Sequence, residues 1–291
     1  MPLIFLMLYV KIISMNKYYT YFKKTLALIM AVVFVLGLSA CSVNENSSSE
    51  SSESKTSHVV RVTIPEGSPI TLIASLLEEN GVCSAVDFIV EANNPANLEG
   101  FSFEIPNPED RAFLLEGYLF PDTYEFYRNE KAPSVVKRLL KNTEKKLDEE
   151  IRIRCRELGF TVDEMLTLAS IIQEEAGYPD EMLKVSSVLH NRLNSRSYPK
   201  LQCDVTAFYL RESVNLYFAG ARYSEFVELY NTYNCEGLPA GPITNSGIDA
   251  VKAALYPAET DYYFFVTDDN GVYYYAETWS EHVENCDIAG I

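Results

Sequence analysis

Three histidines, His58, His190 and His282, are all the imidazoles this 291-residue chain offers, and its six cysteines include no Cys-x-x-Cys pair. Zinc-ligand spacing is missing, so neither a metal site nor a cofactor is expected. There is no Gly-rich phosphate loop and no Gly-x-Ser-x-Gly elbow, which ranks nucleotide and esterase chemistry low. Positive charge is in deficit: 24 Lys and Arg against 41 Asp and Glu leave a net charge of -17. A nucleic-acid binder carries a basic footprint, so no nucleic-acid partner is expected. What the chain does have is an ordinary globular composition, 47% apolar and 22% charged, on a length sufficient for a sizeable core. Its 20 Tyr and 15 Phe suit stacking on sugars, although most aromatics fill cores.

The N-terminus reads as an export signal over residues 1–40. Lys17, Lys23 and Lys24 form a positive region, and Leu26 to Leu38 is an apolar run broken only by Gly37. That run is too short to span a bilayer, which takes about 20 residues. Leu38-Ser39-Ala40-Cys41 follows and resembles the lipobox of bacterial lipoproteins, in which the Cys is lipidated. The competing reading is a plain membrane anchor. Either way the rest of the chain lies on the extracytoplasmic face of the cell membrane. The stretch before Met15 adds nothing to a signal peptide, so translation from Met15 is expected. Residues 41–58 contain eight serines and almost nothing apolar, a composition that reads as a disordered linker. Of the remaining cysteines, Cys203 and Cys235 are a candidate pair, with connectivity left open by sequence.

Val59 to Ile64 suits a strand, Pro65-Glu66-Gly67 a turn, and Ile70 to Glu79 a helix with apolar residues at 70, 73, 76 and 77. Asn80-Gly81 stops it. A second helix starts at Ser84, whose hydroxyl can cap the Asp87 amide. The order over residues 59–108 resembles a small LysM-like subdomain, which implies either contact with N-acetylglucosamine polymers or a purely structural part. Residues 93–110 read as a connection, 114–126 as an aromatic-dense extended segment, and 132–158 as one long charged helix. A larger mixed α/β domain is expected over 109–291, which makes the fold class α+β.

Thr161 and Glu164 form a capping box that opens the next helix, and Gly177 is expected to stop it. Met165, Leu168, Ala169, Ile172 and Ala176 define its buried stripe. Glu174 falls opposite that stripe, as a surface acid. Glu175 falls at its edge, where partial desolvation would raise a carboxyl toward the range useful to a general acid.

Seven stretches, in order, resemble the YceG-like endolytic murein transglycosylases. They are Glu116 to Tyr124, Ala169 to Glu175, Val188 to Leu193, Leu201 to Thr206, Tyr230 to Tyr233, Gly237 to Ile243 and Tyr263 to Val266, with His282 near the end. The resemblance covers roughly residues 59 to 286. It departs at Gln173, where the family commonly has Glu, at Cys203, where it commonly has Thr, and at the Cys41 lipobox, where better-known members carry a transmembrane helix.

The resemblance implies that Glu175 is catalytic. It implies cleavage of the β-1,4 bond between N-acetylmuramic acid and N-acetylglucosamine in peptidoglycan, leaving 1,6-anhydro ends and terminating nascent strands beside peptidoglycan synthases. One carboxylate can suffice because the sugar's own 6-hydroxyl attacks, whereas hydrolytic glycosidases usually need two. Glu116 and Asp204 are candidates for sugar hydroxyls or for turn and cap roles. Gln202, Asn191 and Asn231 are candidates for acetamido groups or for loop backbone. Tyr118, Tyr124, Tyr230 and Tyr233 are candidates for stacking walls or for core. Gly237 to Pro242 is expected to shape a groove wall, and His282 to play at most an assisting part. Two other readings stay open: a wall-binding lipoprotein that does not cut, and a hydrolase using Asp204 as a second acid.

Overall fold

A computed structural model describes residues 58–291. The signal peptide, the Cys41 lipobox and the linker before His58 lie outside the described residues.

Strand β1 (Val59–Thr63) enters the fold with Val62 turned inward, and Ile64 follows it into the core. Gly67 then takes φ +75°, a backbone conformation costly for any residue with a Cβ. Helix α1 (Ile70–Glu79) buries Ile70, Ile73, Ala74 and Leu77, the face its periodicity marks out. Helix α2 (Ala85–Ala92) starts where Ser84 accepts the Asp87 N–H at 3.1 Å, as its sequence suggests. Strand β2 (Thr123–Tyr127) pairs antiparallel with β1, Val59 opposite Tyr127 and Thr63 opposite Thr123.

That pairing moves the expected boundary at 108. A strand alone leaves its backbone donors and acceptors unmet, and the partner β1 needs comes from beyond residue 108. The described residues, 58–291, pack as one unit. Asn245 binds its parts together from a fully buried position. Its side chain donates to Ser68 O and to Glu116 Oε1, both at 2.9 Å, and accepts from Leu119 N–H at 2.8 Å.

The long helix expected over 132–158 is two: α3 (Ala132–Lys146) and α4 (Glu149–Leu158). Leu147 turns fully into the core, and Asp148 accepts the Ile151 N–H at 3.1 Å, restarting the helix as its N-cap. Hydrophobic periodicity continues through the break, so the pattern conceals it. Next come α5 (Val162–Glu175), α6 (Pro179–Leu193), α7 (Asp204–Glu212), α8 (Gly220–Tyr230) and α9 (Ile248–Leu255). A second antiparallel pair, β3 (Phe264–Thr267) and β4 (Tyr273–Ala276), precedes α10 (Trp279–Ala289). The fold is α+β: two small sheets on a mostly helical body.

Helix α5 is the centre of that body. Its capping box forms as expected, with Thr161 Oγ1 accepting from Glu164 N–H at 3.1 Å and Glu164 accepting in return at 2.8 Å. The expected stripe is buried, but so are Leu166, Thr167, Ser170 and Ile171, because α4, α6, α7 and α9 pack around it. Each such Leu or Ile contributes about 1.5–3 kcal/mol by leaving water. At its N-terminal end Asp163 pairs with Arg111, both side chains almost wholly buried, and accepts from Tyr118 Oη at 2.7 Å.

Candidate active site

Helix α5 ends at Glu175 because Ala176 leaves the helical region, at φ -128° and ψ 121°. Gly177 is not in a left-handed cap. The terminus is satisfied from β4 instead: Tyr273 Oη donates to Glu175 O at 2.9 Å and accepts the Gly177 N–H at 3.3 Å. Glu175 is half-buried, since its helix is enclosed and only its last turn reaches the surface.

Two further segments meet it there. Cys203 caps α7 and is 3% exposed, its thiol donating to Leu201 O at 3.7 Å; burial pushes that thiol well above the usual range, and the adjoining Glu175 carboxyl adds to the push. Its N–H is held by Thr232 Oγ1 at 2.9 Å, and its carbonyl accepts from Thr206 Oγ1 at 2.8 Å. Tyr233, 44% exposed, donates from its hydroxyl to Asp204 Oδ1 at 2.8 Å. Burial and then Asp204 push that phenol up, and the Glu175 charge adds to it, so the hydroxyl keeps its proton as a donor. Residues 175, 202–204, 232, 233 and 273 thus form one polar cluster around a half-buried carboxyl. Such a group can give and take a proton beside a bound sugar.

The other sequence candidates divide. Gln202 and Asp204 lie in this cluster with Tyr233. Asn231 stands beside it in a turn role, its Oδ1 accepting the Tyr233 N–H at 3.0 Å. Glu116, Tyr118 and Tyr230 are each 0% exposed and face no surface a sugar can reach. Glu116 sits at the start of α1, accepting the Ile70 N–H at 3.0 and 3.1 Å, and burial pushes its carboxyl well above the ordinary range. Tyr118 serves Asp163, and Tyr230 Oη accepts the Ala112 N–H at 3.3 Å. Tyr124 is 7% exposed and donates to Phe120 O. Asn191 satisfies loop backbone, donating to Thr260 O at 2.8 Å and Tyr262 O at 2.9 Å. His282 stacks on Phe264. The loop expected to form a groove wall turns inward at Pro239, Gly241 and Pro242, where it packs on Arg111 and Gly117.

Cys203 and Cys235 are both free. The first is turned to Glu175; the second lines a small cavity with Leu229 and Leu238. Among the described residues no His, Cys, Asp and Glu side chains converge as a metal-ligand set. Gln173 has a structural task, its Oε1 accepting the Gly247 N–H at 2.9 Å.

Glu174 is not the plain surface acid its helical position suggests. The residue is exposed as a whole, yet its carboxyl oxygen is turned in against Gly67, and the desolvation there pushes it up to about 7, with the Thr244 hydroxyl pulling the other way.

Sequence reasoning assigned no role to Arg192, Thr232 or Tyr273, and saw in Cys203 only a candidate disulfide partner. Arg192, Cys203 and Thr232 stand inside the family-like stretches, which was the available signal. Tyr273 lies in none of them, so no signal marked it.

The sequence profile of the YceG-like family matches residues 40–288. The chain is 30% identical over 242 residues to the endolytic murein transglycosylase of Bacillus subtilis (strain 168), across 78% of this chain and 64% of that protein. It is 29% identical over 246 residues to the endolytic murein transglycosylase of Streptococcus pneumoniae serotype 2 (strain D39), across 77% of this chain and 43% of that protein. The chain therefore spans less than two-thirds of the length of these relatives. A crystal structure of a YceG-like protein from Listeria monocytogenes aligns with a TM-score of 0.66 and 28% identity, over 77% of this chain and 74% of that one. With the profile match running over most of its length, the chain belongs to the YceG-like family.

Proposed function

We propose that this chain is an endolytic murein transglycosylase, cleaving peptidoglycan glycan strands with Glu175 as its single acid/base. The relatives' names support the reaction class. The observation that carries the assignment to a residue is the position of Glu175: half-buried, at the end of an enclosed helix, against Cys203, Tyr233 and Tyr273.

The Glu175 carboxylic acid gives its proton to the bridging oxygen as the C1–O bond of N-acetylmuramic acid breaks. The 6-hydroxyl oxygen of the same sugar then bonds to C1, and its proton passes to the Glu175 carboxylate, restoring the acid. No water is consumed, so a second carboxylate is not required. The lipid anchor at Cys41 tethers the enzyme to the extracytoplasmic face of the cell membrane, where it meets nascent strands and peptidoglycan synthases.

Glu175→Gln is near-isosteric and cannot transfer the proton. It lowers release of 1,6-anhydro muropeptides from purified sacculi by about 10²–10⁴-fold, the usual weight of general acid–base catalysis, and leaves the far-ultraviolet circular dichroism unchanged. Retained turnover refutes the assignment. Reducing ends in place of anhydro ends point to hydrolysis, for which Asp204 is the second acid in the same cluster. Binding without products leaves a wall-binding lipoprotein.

A further inference from the structure

Arg192 is 6% exposed, and among the described residues no carboxylate pairs with it. A buried charge usually has a counter-charge. This one is held by neutral acceptors: Nε donates to Lys200 O and Nη1 to Tyr263 O, both at 2.9 Å, and Nη2 donates to Gln202 Oε1. The rings of Phe264 and Tyr198 flank the guanidinium at 5.4 and 5.8 Å.

Gln202 is unusual in turn. Its φ of +57° is left-handed, shared among the described non-glycine residues only with Asn107 and Asn129. Asparagine tolerates that region; glutamine does so rarely, and such a conformation persists where surrounding contacts over-determine it. Here they do. Gln202 N–H donates to Thr232 O at 3.1 Å, its side-chain oxygen is taken by Arg192, and the next amide, Cys203 N–H, is held by Thr232. Immediately past the kink come Cys203, against the Glu175 carboxyl, and Asp204, which holds Tyr233.

We propose that Arg192 and Gln202 are positioning residues for Glu175: the carboxylate-free guanidinium pins Gln202 in its left-handed kink, and the kink sets Cys203 and Asp204 into the active-site cluster. The inference rests on the transglycosylase reading for its kinetics, though its geometry stands independently. It replaces the direct sugar contact otherwise open to Gln202. The side-chain oxygen is already engaged, and a contact with an acetamido carbonyl would use the amide NH₂ instead.

The two roles separate in Gln202→Glu, which keeps an oxygen for Arg192 and removes the NH₂ donor. The full exported chain is assayed on sacculi at varied concentration. In parallel, maleimide labelling of Cys203 is followed by peptide mass spectrometry, because a thiol buried by the kink is shielded until the kink relaxes. Gln202→Ala lowers kcat about tenfold or more with KM held within about twofold, as expected when reacting groups shift by a fraction of an ångström. It also speeds Cys203 labelling. Gln202→Glu recovers most of the lost kcat and restores slow labelling. Gln202→Gly accommodates the φ without strain but has no anchor, so it shows the alanine phenotype on a stable fold.

The positioning role is overturned if Cys203 labelling is the same in all variants, or if Gln202→Glu fails like alanine with a raised KM. A wild-type protein that releases no anhydro products sinks the transglycosylase reading instead, and the labelling series still decides the positioning role.

Discussion

Asp163→Asn tests how the helix bearing Glu175 is anchored. Asp163, in the first turn of α5, takes both the Arg111 guanidinium and the Tyr118 hydroxyl. The two charged side chains are 1% and 5% exposed, so water cannot replace either partner. Arg111 has no reserve: its Nε and Nη1 are already buried without hydrogen-bond partners, and Gly241 packs on the guanidinium so closely that only a glycine fits there. Removing the negative charge leaves a buried cation uncompensated, a loss of about 3–5 kcal/mol. In a folded unit of this size each kcal/mol moves Tm by about 2–4 °C, giving a drop of about 6–20 °C. Urea denaturation of Asp163→Asn, Arg111→Met and the double variant measures the free-energy loss, and thermal scans of the same proteins measure the drop in Tm. The double variant is expected to be less destabilised than the sum of the singles, because it no longer buries a lone charge. Strict additivity, or singles costing under about 1 kcal/mol, refutes the reasoning.

Two other outcomes follow from the same contacts. The Glu174 carboxyl is raised from 4.5 to about 7 in the fold, so the folded chain holds a proton there that the unfolded chain has released. Its stabilising effect is complete below pH 4.5 and is lost as pH rises to about 7. The difference in urea midpoint between wild type and Glu174→Gln therefore changes across that window and is flat above it; a constant difference from pH 4 to 8 disproves the desolvated site. Thr232→Val keeps the shape but removes the hydroxyl that holds Cys203 N–H and bonds Thr206 at 3.1 Å. It costs about 1–3 kcal/mol, the usual penalty for stranding a buried amide, and lowers anhydro-muropeptide release by displacing Cys203. A variant with wild-type stability and turnover counts against that loop as part of the site.

Much of this was legible in the residues. Local chemistry sets local structure, so Ser84, Thr161 and Glu164 announce their helices, and the apolar spacing of α1 and α5 announces their buried faces. The ordered motifs singled out Glu175, and residues 175, 202–204 and 231–233 do come together. Tertiary structure decided the rest, because burial and partnership depend on what arrives from far along the chain. Periodicity cannot tell a helix with one covered face from one enclosed on all sides, as α5 is. A motif glutamate or tyrosine reads alike whether it faces a sugar or, like Glu116, Tyr118 and Tyr230, lies wholly inside. Adjacent Glu174 and Glu175 differ because Gly67 comes to rest beside the first, and Cys203, Tyr233 and Tyr273 beside the second. The left-handed turn at Gln202 has no signature in the letter Q; it exists because Arg192 and Thr232, distant in sequence, leave that backbone nowhere else to go.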